Sequence, residues 1–314
     1  MNTVRWVVLG LVGFVVAGCS DVSAQSAVAS FDQTFEIDGP VELDVRTGAG
    51  RITVRPGSDG DVRVVGQLEV WARWGRSAGD IEELVRRFET EPPVEISGNV
   101  VSVGAFEDDE YRDLWERGRV SMSFEIDVPR ETRVASRTGS GSQEITGVSG
   151  PVRASAGSGS LVLRDIGGGA ELRTGSGSIR AEGIAGPVEA STGSGSVAVV
   201  QVAAGDVRVS TGSGSAELRG VDGALFARTG SGGIAVDGRQ SGAWDLETGS
   251  GSVRINLPED AAFVLDARTG SGRLESSHPV TVQGSVDRGR LSGQVRGGGP
   301  LLRVRTGSGS VSID

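Results

Sequence analysis

The chain has 314 residues and a formal net charge of −10, and all of its basic residues are arginine. An acidic surface argues against nucleic acid as a partner and against broad contact with anionic lipid. The missing lysine excludes the phosphate-binding loop that needs one. Aromatic residues make up only 4% while glycine supplies 51 positions; scattered glycine would mean disorder, but here it is periodic.

Residues 1–18 read as a secretory signal, with Arg5, an apolar run from Trp6 to Ala17, and then Gly18. The run is too short for a comfortable membrane span, which needs about 20 apolar residues. Val16-Ala17-Gly18-Cys19 resembles the lipobox of bacterial lipoproteins. That resemblance implies cleavage before Cys19, a diacylglycerol on its thiol and an acyl chain on the new amine. An ordinary signal with an incidental cysteine is the alternative. Because Cys19 is the only cysteine, an exported chain would otherwise carry one unpaired thiol. Several acyl chains, at about 0.8 kcal/mol per buried CH₂, hold a protein stably to a membrane. Residues 19–30 are then a short polar tether.

Residues 31–134 form an N-terminal β region. Within it, Asp80 is an expected N-cap, and Ile81, Leu84, Val85 and Phe88 follow at helical spacing until Pro92-Pro93 stops the helix. A short amphipathic helix here is expected to cap the open end of a stack of strands. Trp71, Trp74 and Trp115 gather in the same region. They either cover that end or stack on ligand rings. Glu107-Asp108-Asp109-Glu110 is the densest acidic run, and a contiguous run reads as a solvated face.

Residues 135–314 are repetitive. The residue opening each T-G-S-G falls at Thr138, Ala156, Thr174, Thr192, Thr211, Thr229, Thr248 and Thr269, in steps of 18, 18, 18, 19, 18, 19 and 21. A last copy opens at Thr306, a step of 37 that reads as two coils with a degenerate middle one, and RTGAG at Arg46–Gly50 is an isolated earlier copy. Between corners the apolar residues alternate, as in Ala170, Leu172 and Thr174, then Ile179 and Ala181. The inward set is expected to continue through Val197, Val199 and Val202, and later through Val253, Ile255 and Leu257. One pair of such strands cannot bury its apolar face alone, but stacked copies share a core. The pattern predicts an all-β fold, a β-solenoid of two-strand coils in two sheets. Stacking would place Glu171, Glu189, Arg208, Phe226 and Asp245 in one outward column.

In each corner, Gly175 and Gly177 with their equivalents permit a tight turn. The threonines at 138, 174, 192, 211, 229, 248, 269 and 306 are expected as structural corner residues rather than ligands. A strand follows the glycines, so the dinucleotide pattern fails. The corner carries no carboxylate for calcium. His278, the only histidine, sits in SSHPVT as an expected solvated loop residue, which leaves zinc and a Ser-His-Asp site poorly served. No metal, cofactor or catalytic residue is expected.

The TGSG spacing, the entry Val120–Ser142 and the closing Gly297–Asp314 resemble the bacterial β-strand-repeat family of candidate adhesins, related to auto-transporter adhesin head domains. The resemblance covers about Phe31 to Asp314 and implies no catalytic residues. The expected function is a lipid-anchored cell-envelope protein with a non-enzymatic scaffolding or adhesin-like role. Its partners would be the membrane, through Cys19, and an envelope protein or polysaccharide. The alternative is a carbohydrate-binding or carbohydrate-cleaving protein on a β-helix.

Overall fold

The computed structural model describes residues 26–71, 78–104, 120–282 and 289–314. Contacts divide the chain into two compact units, 1–149 and 150–314. Both are built from strands that alternate buried apolar and exposed polar residues, with one α-helix among the described residues, α1 (Ala78–Thr90), in the first unit.

In the first unit, one sheet runs in the order Ser26–Glu36, Asp61–Trp71, Val120–Val128, Ile52–Pro56, Gln143–Thr146. The other runs Arg133–Ser140, Glu42–Ala49, Val100–Val103, Val94–Ser97. The outermost strand begins at Ser26, so residues 26–30 pair with Asp61–Trp71 rather than acting as tether. Helix α1 packs on that strand. Ile81, Leu84 and Phe88 are buried, and the Phe88 ring lies 5.1 Å from Phe31. Phe31 in turn fills the space over Gly66 of the paired strand, where a Cβ would stand 2.2 Å from its ring. Asp80 is the third residue of α1, not its N-cap: the helix starts three residues before Ile81, where the apolar periodicity begins.

The RTGAG copy is not isolated. Thr47 pairs with Thr138 and Ala49 with Ser140 in a parallel ladder, and Ile52–Pro56 pairs with Gln143–Thr146. These pairings tie the coil opened by Thr138 to the first unit. They are why the compact boundary falls after Ser149 rather than at the first regular repeat near residue 135.

The second unit is a β-solenoid in which each coil contributes one strand to each of two parallel sheets. One sheet stacks Val152–Ser158, Ala170–Ser176, Val188–Ser194, Val207–Ser213, Leu225–Ser231 and Trp244–Ser250 in register, corner residue beside corner residue, Ala156 first and threonines thereafter. The other stacks Leu161–Ile166, Ile179–Ala185, Val197–Ala203, Ala216–Asp222, Ile234–Arg239 and Val253–Asn256. Trp244 is the largest fully buried side chain, and its Nε1–H donates to the Gly223 carbonyl at 3.1 Å.

Two expectations are corrected here. Among its described residues the 37-residue step contains no degenerate coil. Leu301–Ser308 inserts between Trp244–Ser250 and Phe263–Ser271, parallel to both. Val280–Thr281 and Arg290–Val295 instead form antiparallel strands outside Phe263–Ser271. The second correction concerns Val202, which is 66% exposed while Gln201 is buried. Neighbouring coils pass through a positive φ before their last inward residue, at Asp165, Gly183 and Gly220. The Val197–Ala203 strand lacks that extra residue, so Gln201 falls opposite Ile184 and turns inward. Its Nε2 donates to the Gly186 and Gly205 carbonyls at 2.8 and 3.1 Å.

Candidate functional site

The TGSG corners are the most repeated feature of the second unit, and their polar groups are spent on the fold. All the corner threonines are buried. Thr174 donates its hydroxyl to the Gly159 carbonyl of the preceding coil at 2.9 Å, Thr192 to Gly177 at 2.9 Å and Thr211 to Gly195 at 2.8 Å. Thr248 bonds Gly232, Thr269 bonds Gly309 and Thr306 bonds Gly251, each at 2.9 Å. Thr229 turns to Gly232 of its own corner. Thr138, in the first unit, has a buried hydroxyl with no partner among the described residues.

The glycines are there because backbones meet. A Cβ on Gly177 would lie 2.1 Å from the Gly159 oxygen, and one on Gly175 would lie 2.6 Å from the Gly157 oxygen. Gly177 also holds φ at +159° and Gly195 at +144°, a region that L-residues avoid. The corner serines between them, such as Ser176, Ser194 and Ser213, point to solvent. The corner therefore offers a row of exposed hydroxyls but no enclosed donor set.

A concave surface does exist elsewhere in the second unit. On the outer face of the sheet that carries the corner threonines, a groove of about 560 Å³ runs from coil to coil, from Pro151 to Ala243. It exists because the residues entering successive strands are short: Pro151, Gly169, Pro187, Ala224 and Ala243, with Asp206 the one longer member. The N–H groups that open its floor strands are paired. Val152, Ala170, Val188, Val207 and Leu225 each donate their N–H to the entry residue of the next coil, at 2.9–3.1 Å.

The side wall of the groove is the outward column Arg153, Glu171, Glu189, Arg208 and Phe226. Glu171 and Glu189 are adjacent like charges, and arginines hold them together. Arg153 reaches Glu171 at 2.9 Å, while Arg173 bonds Glu171 and also reaches Glu189 at 2.9 Å. The hydrogen bond from Arg173, then the nearby arginine charges, keep the Glu171 carboxyl below the usual glutamate range. Asp206 accepts the Ala224 N–H at 3.0 Å. At the far end, Arg208 lies over the half-buried Phe226 ring, 4.9 Å from its centroid, a cation–π contact. Beyond Phe226, Asp245 is paired with Arg303 at 3.3 Å.

The sequence placed these residues in one outward column without marking it as a site. The available signal was Phe226, an aromatic at an outward position in an otherwise charged or polar column. Trp71 is 47% exposed at the end of an edge-strand pair in the first unit. Cys19, Trp74, Trp115 and the acidic run 107–110 lie outside the described residues. His278 is not solvated but buried, edge-on to Phe263 with 5.7 Å between ring centroids: the outer antiparallel strands fold its loop against the last coil. Among the described residues, no group of three or more His, Cys, Asp or Glu side chains is placed to hold a metal ion.

Three solved structures are similar over most of the chain at very low identity. A candidate cell adhesion protein from Clostridium sporogenes is 10% identical, covering 93% of this chain and 99% of its own, with a TM-score of 0.22. A candidate adhesin from Bacteroides fragilis is 10% identical, covering 91% and 97%, with a TM-score of 0.31. A candidate lipid-binding protein from Parabacteroides distasonis is 9% identical, covering 91% and 97%, with a TM-score of 0.42. No curated protein matches the chain. The Toastrack DUF4097 family model matches residues 119–314, in which the stacked TGSG coils lie, and the chain belongs to that family.

Proposed function

We propose that this chain is a lipid-anchored, non-enzymatic cell-envelope protein that holds an envelope ligand passively along the outer face of its stacked coils. The lipobox resemblance at Val16–Cys19 supports the anchor, with acyl chains on Cys19 fixing the base at a membrane. The groove wall carries the rest of the reading. Its two neighbouring glutamates are both ion-paired with arginine, and the Glu171 carboxyl is shifted down.

Polysaccharide cleavage needs the opposite. A general acid requires a raised carboxyl pKa and a second carboxyl free to act across a cleft. The wall of this groove favours holding over cutting. A scaffolding or adhesin-like role needs no more than a rigid face with fixed charges, which parallel stacking supplies.

The test is a pull-down from envelope extract with Cys19→Ser protein, beside the same protein carrying Ala224→Trp and Ala243→Trp, at two groove-lining positions, to fill the groove. Retention of an envelope polymer by the first and its loss by the second is expected. If neither protein retains any envelope component, or both retain it equally, the groove is not the binding face.

A further inference from the structure

Of the arginines along the groove, Arg208 has no carboxylate paired to it among the described residues. Glu171, Glu189 and Asp206 all have partners, and Arg153 is paired with Glu171. Arg208 has neighbours that should neutralise it, yet none does. Glu189 stands beside it in the ladder but is held by Arg173. Asp206, on the same face two residues away, is turned to the Ala224 N–H. On its other side the ladder presents Phe226, whose ring centroid lies 4.9 Å from the guanidinium carbon. A chain with a net charge of −10 thus keeps an exposed guanidinium against an aromatic ring, with no carboxylate paired to it among the described residues.

A guanidinium fork matches a planar carboxylate with two parallel hydrogen bonds. The surroundings favour a sugar as the carrier. The groove crosses the strands, and its floor N–H groups are already paired, so a peptide lying in it could not add to the sheet as edge-binding peptides do. Its own backbone would lose water without gaining partners. A polysaccharide brings hydroxyls that stay in water on the open side. Its C–H faces suit the apolar surfaces of Pro151, Pro187 and Ala224. Successive coils recur about every 4.8 Å, close to the length of one monosaccharide unit, so an extended chain would meet equivalent surfaces as it passes.

We propose that Arg208 and Phe226 form a subsite for a carboxylate-bearing sugar, so that the groove takes an acidic polysaccharide. The inference rests on the passive-binding reading above and names the ligand class for its groove. Arg208 supplies the carboxylate fork, Phe226 backs its guanidinium, and Pro151 and Pro187 at the strand entries take the sugar faces.

The test is isothermal titration of the full Cys19→Ser chain with a linear oligouronate, its methyl ester and an oligoglutamate peptide of equal charge. Binding of the oligouronate is expected, at least tenfold tighter than its ester or the peptide and weakened by salt. Arg208→Gln and Arg208→Lys should each lose about tenfold, the latter because an ammonium keeps the charge without the fork. Arg228→Gln, on an exposed arginine 3.8 Å from Glu247 and outside the groove, should bind as the parent does. Circular dichroism and melting curves matching the parent confirm that the Arg208 variants fold.

Equal binding of acid and ester, tighter binding of the peptide, or unchanged affinity in Arg208→Gln would overturn the subsite. If the oligouronate fails to bind while the pull-down still retains an envelope polymer through the groove, the subsite is wrong and the passive-binding reading stands. If the pull-down also fails, both fall.

Discussion

The Thr306 hydroxyl donates to the Gly251 carbonyl across 2.9 Å, although the two residues are 55 apart in sequence. Between them the chain has built the Phe263–Ser271 strand, and it then returns to insert the final coil inside that strand. Thr306 and its coil therefore bond on both sides, to Trp244–Ser250 and to Phe263–Ser271.

Removing Leu301–Asp314 should consequently do more than shorten the stack. It would expose one edge of Trp244–Ser250 and one edge of Phe263–Ser271, and unpaired parallel edges template association. The expected outcome is a chain that aggregates or elutes as oligomers in size-exclusion chromatography, where simple loss of an end coil would leave it monodisperse.

The corner threonines should differ in worth according to their partners. Thr211→Val keeps the shape but leaves the Gly195 carbonyl without its donor, costing about 1–2 kcal/mol. Thr138→Val removes a buried hydroxyl that has no partner among the described residues, and it should be neutral or slightly stabilising. Urea denaturation midpoints of the two variants compare them directly.

Glycine positions should likewise separate by what stands next to them. Gly195→Ala would force a Cβ to 2.2 Å from the Gly177 oxygen at φ +144°, and about 3 kcal/mol or more of destabilisation is expected. Gly39 has φ +92° but nothing within 4 Å, so Gly39→Ala carries only backbone strain, about 1 kcal/mol. Equal thermal shifts for the two would show that coil-to-coil contact is not what demands glycine at the corner.

These corners were the most legible part of the molecule, because an 18- or 19-residue step aligns like with like and parallel pairing follows from that alignment. The outward column from Glu171 to Asp245 follows from the same arithmetic. What the step does not encode was missed. Val202 lies five residues after Val197, the same offset as Ile184 from Ile179, but the absence of a bulge residue keeps the strand in strict alternation and puts Gln201 in the core instead. The position of the Thr306 coil depends on a non-local pairing that spacing along the chain cannot report. His278 looked solvated because Pro279 and the polar residues around it read as loop, while its burial comes from Phe263, fifteen positions earlier. The groove was hidden for a related reason: short residues at strand entries leave a channel only when the coils are stacked.

Acid should weaken the hydrogen bonds made by Asp314. Asp314 accepts hydrogen bonds from Ser312 at 2.7 Å and Ser277 at 2.9 Å, and these hold its carboxyl below the usual aspartate range. A folded-state pKa that is depressed gives stability that is fully present above the ordinary aspartate value and is lost as pH falls through the lowered one. Ser277→Ala should raise the Asp314 titration midpoint toward that of an unperturbed aspartate, as read by carboxyl carbon NMR. An unchanged midpoint would mean that the Ser277 contact does not stabilise the ionised form.

The most direct measurement on the central claim, that the groove is the binding face, is the arginine Nε–Hε NMR spectrum recorded during oligouronate titration. Disappearance of one signal in Arg208→Lys assigns Arg208. The account predicts that this signal moves progressively downfield as a carboxylate bonds to it, while that of Arg228 stays in place. An Arg208 signal that remains fixed while other arginine signals move would contradict it.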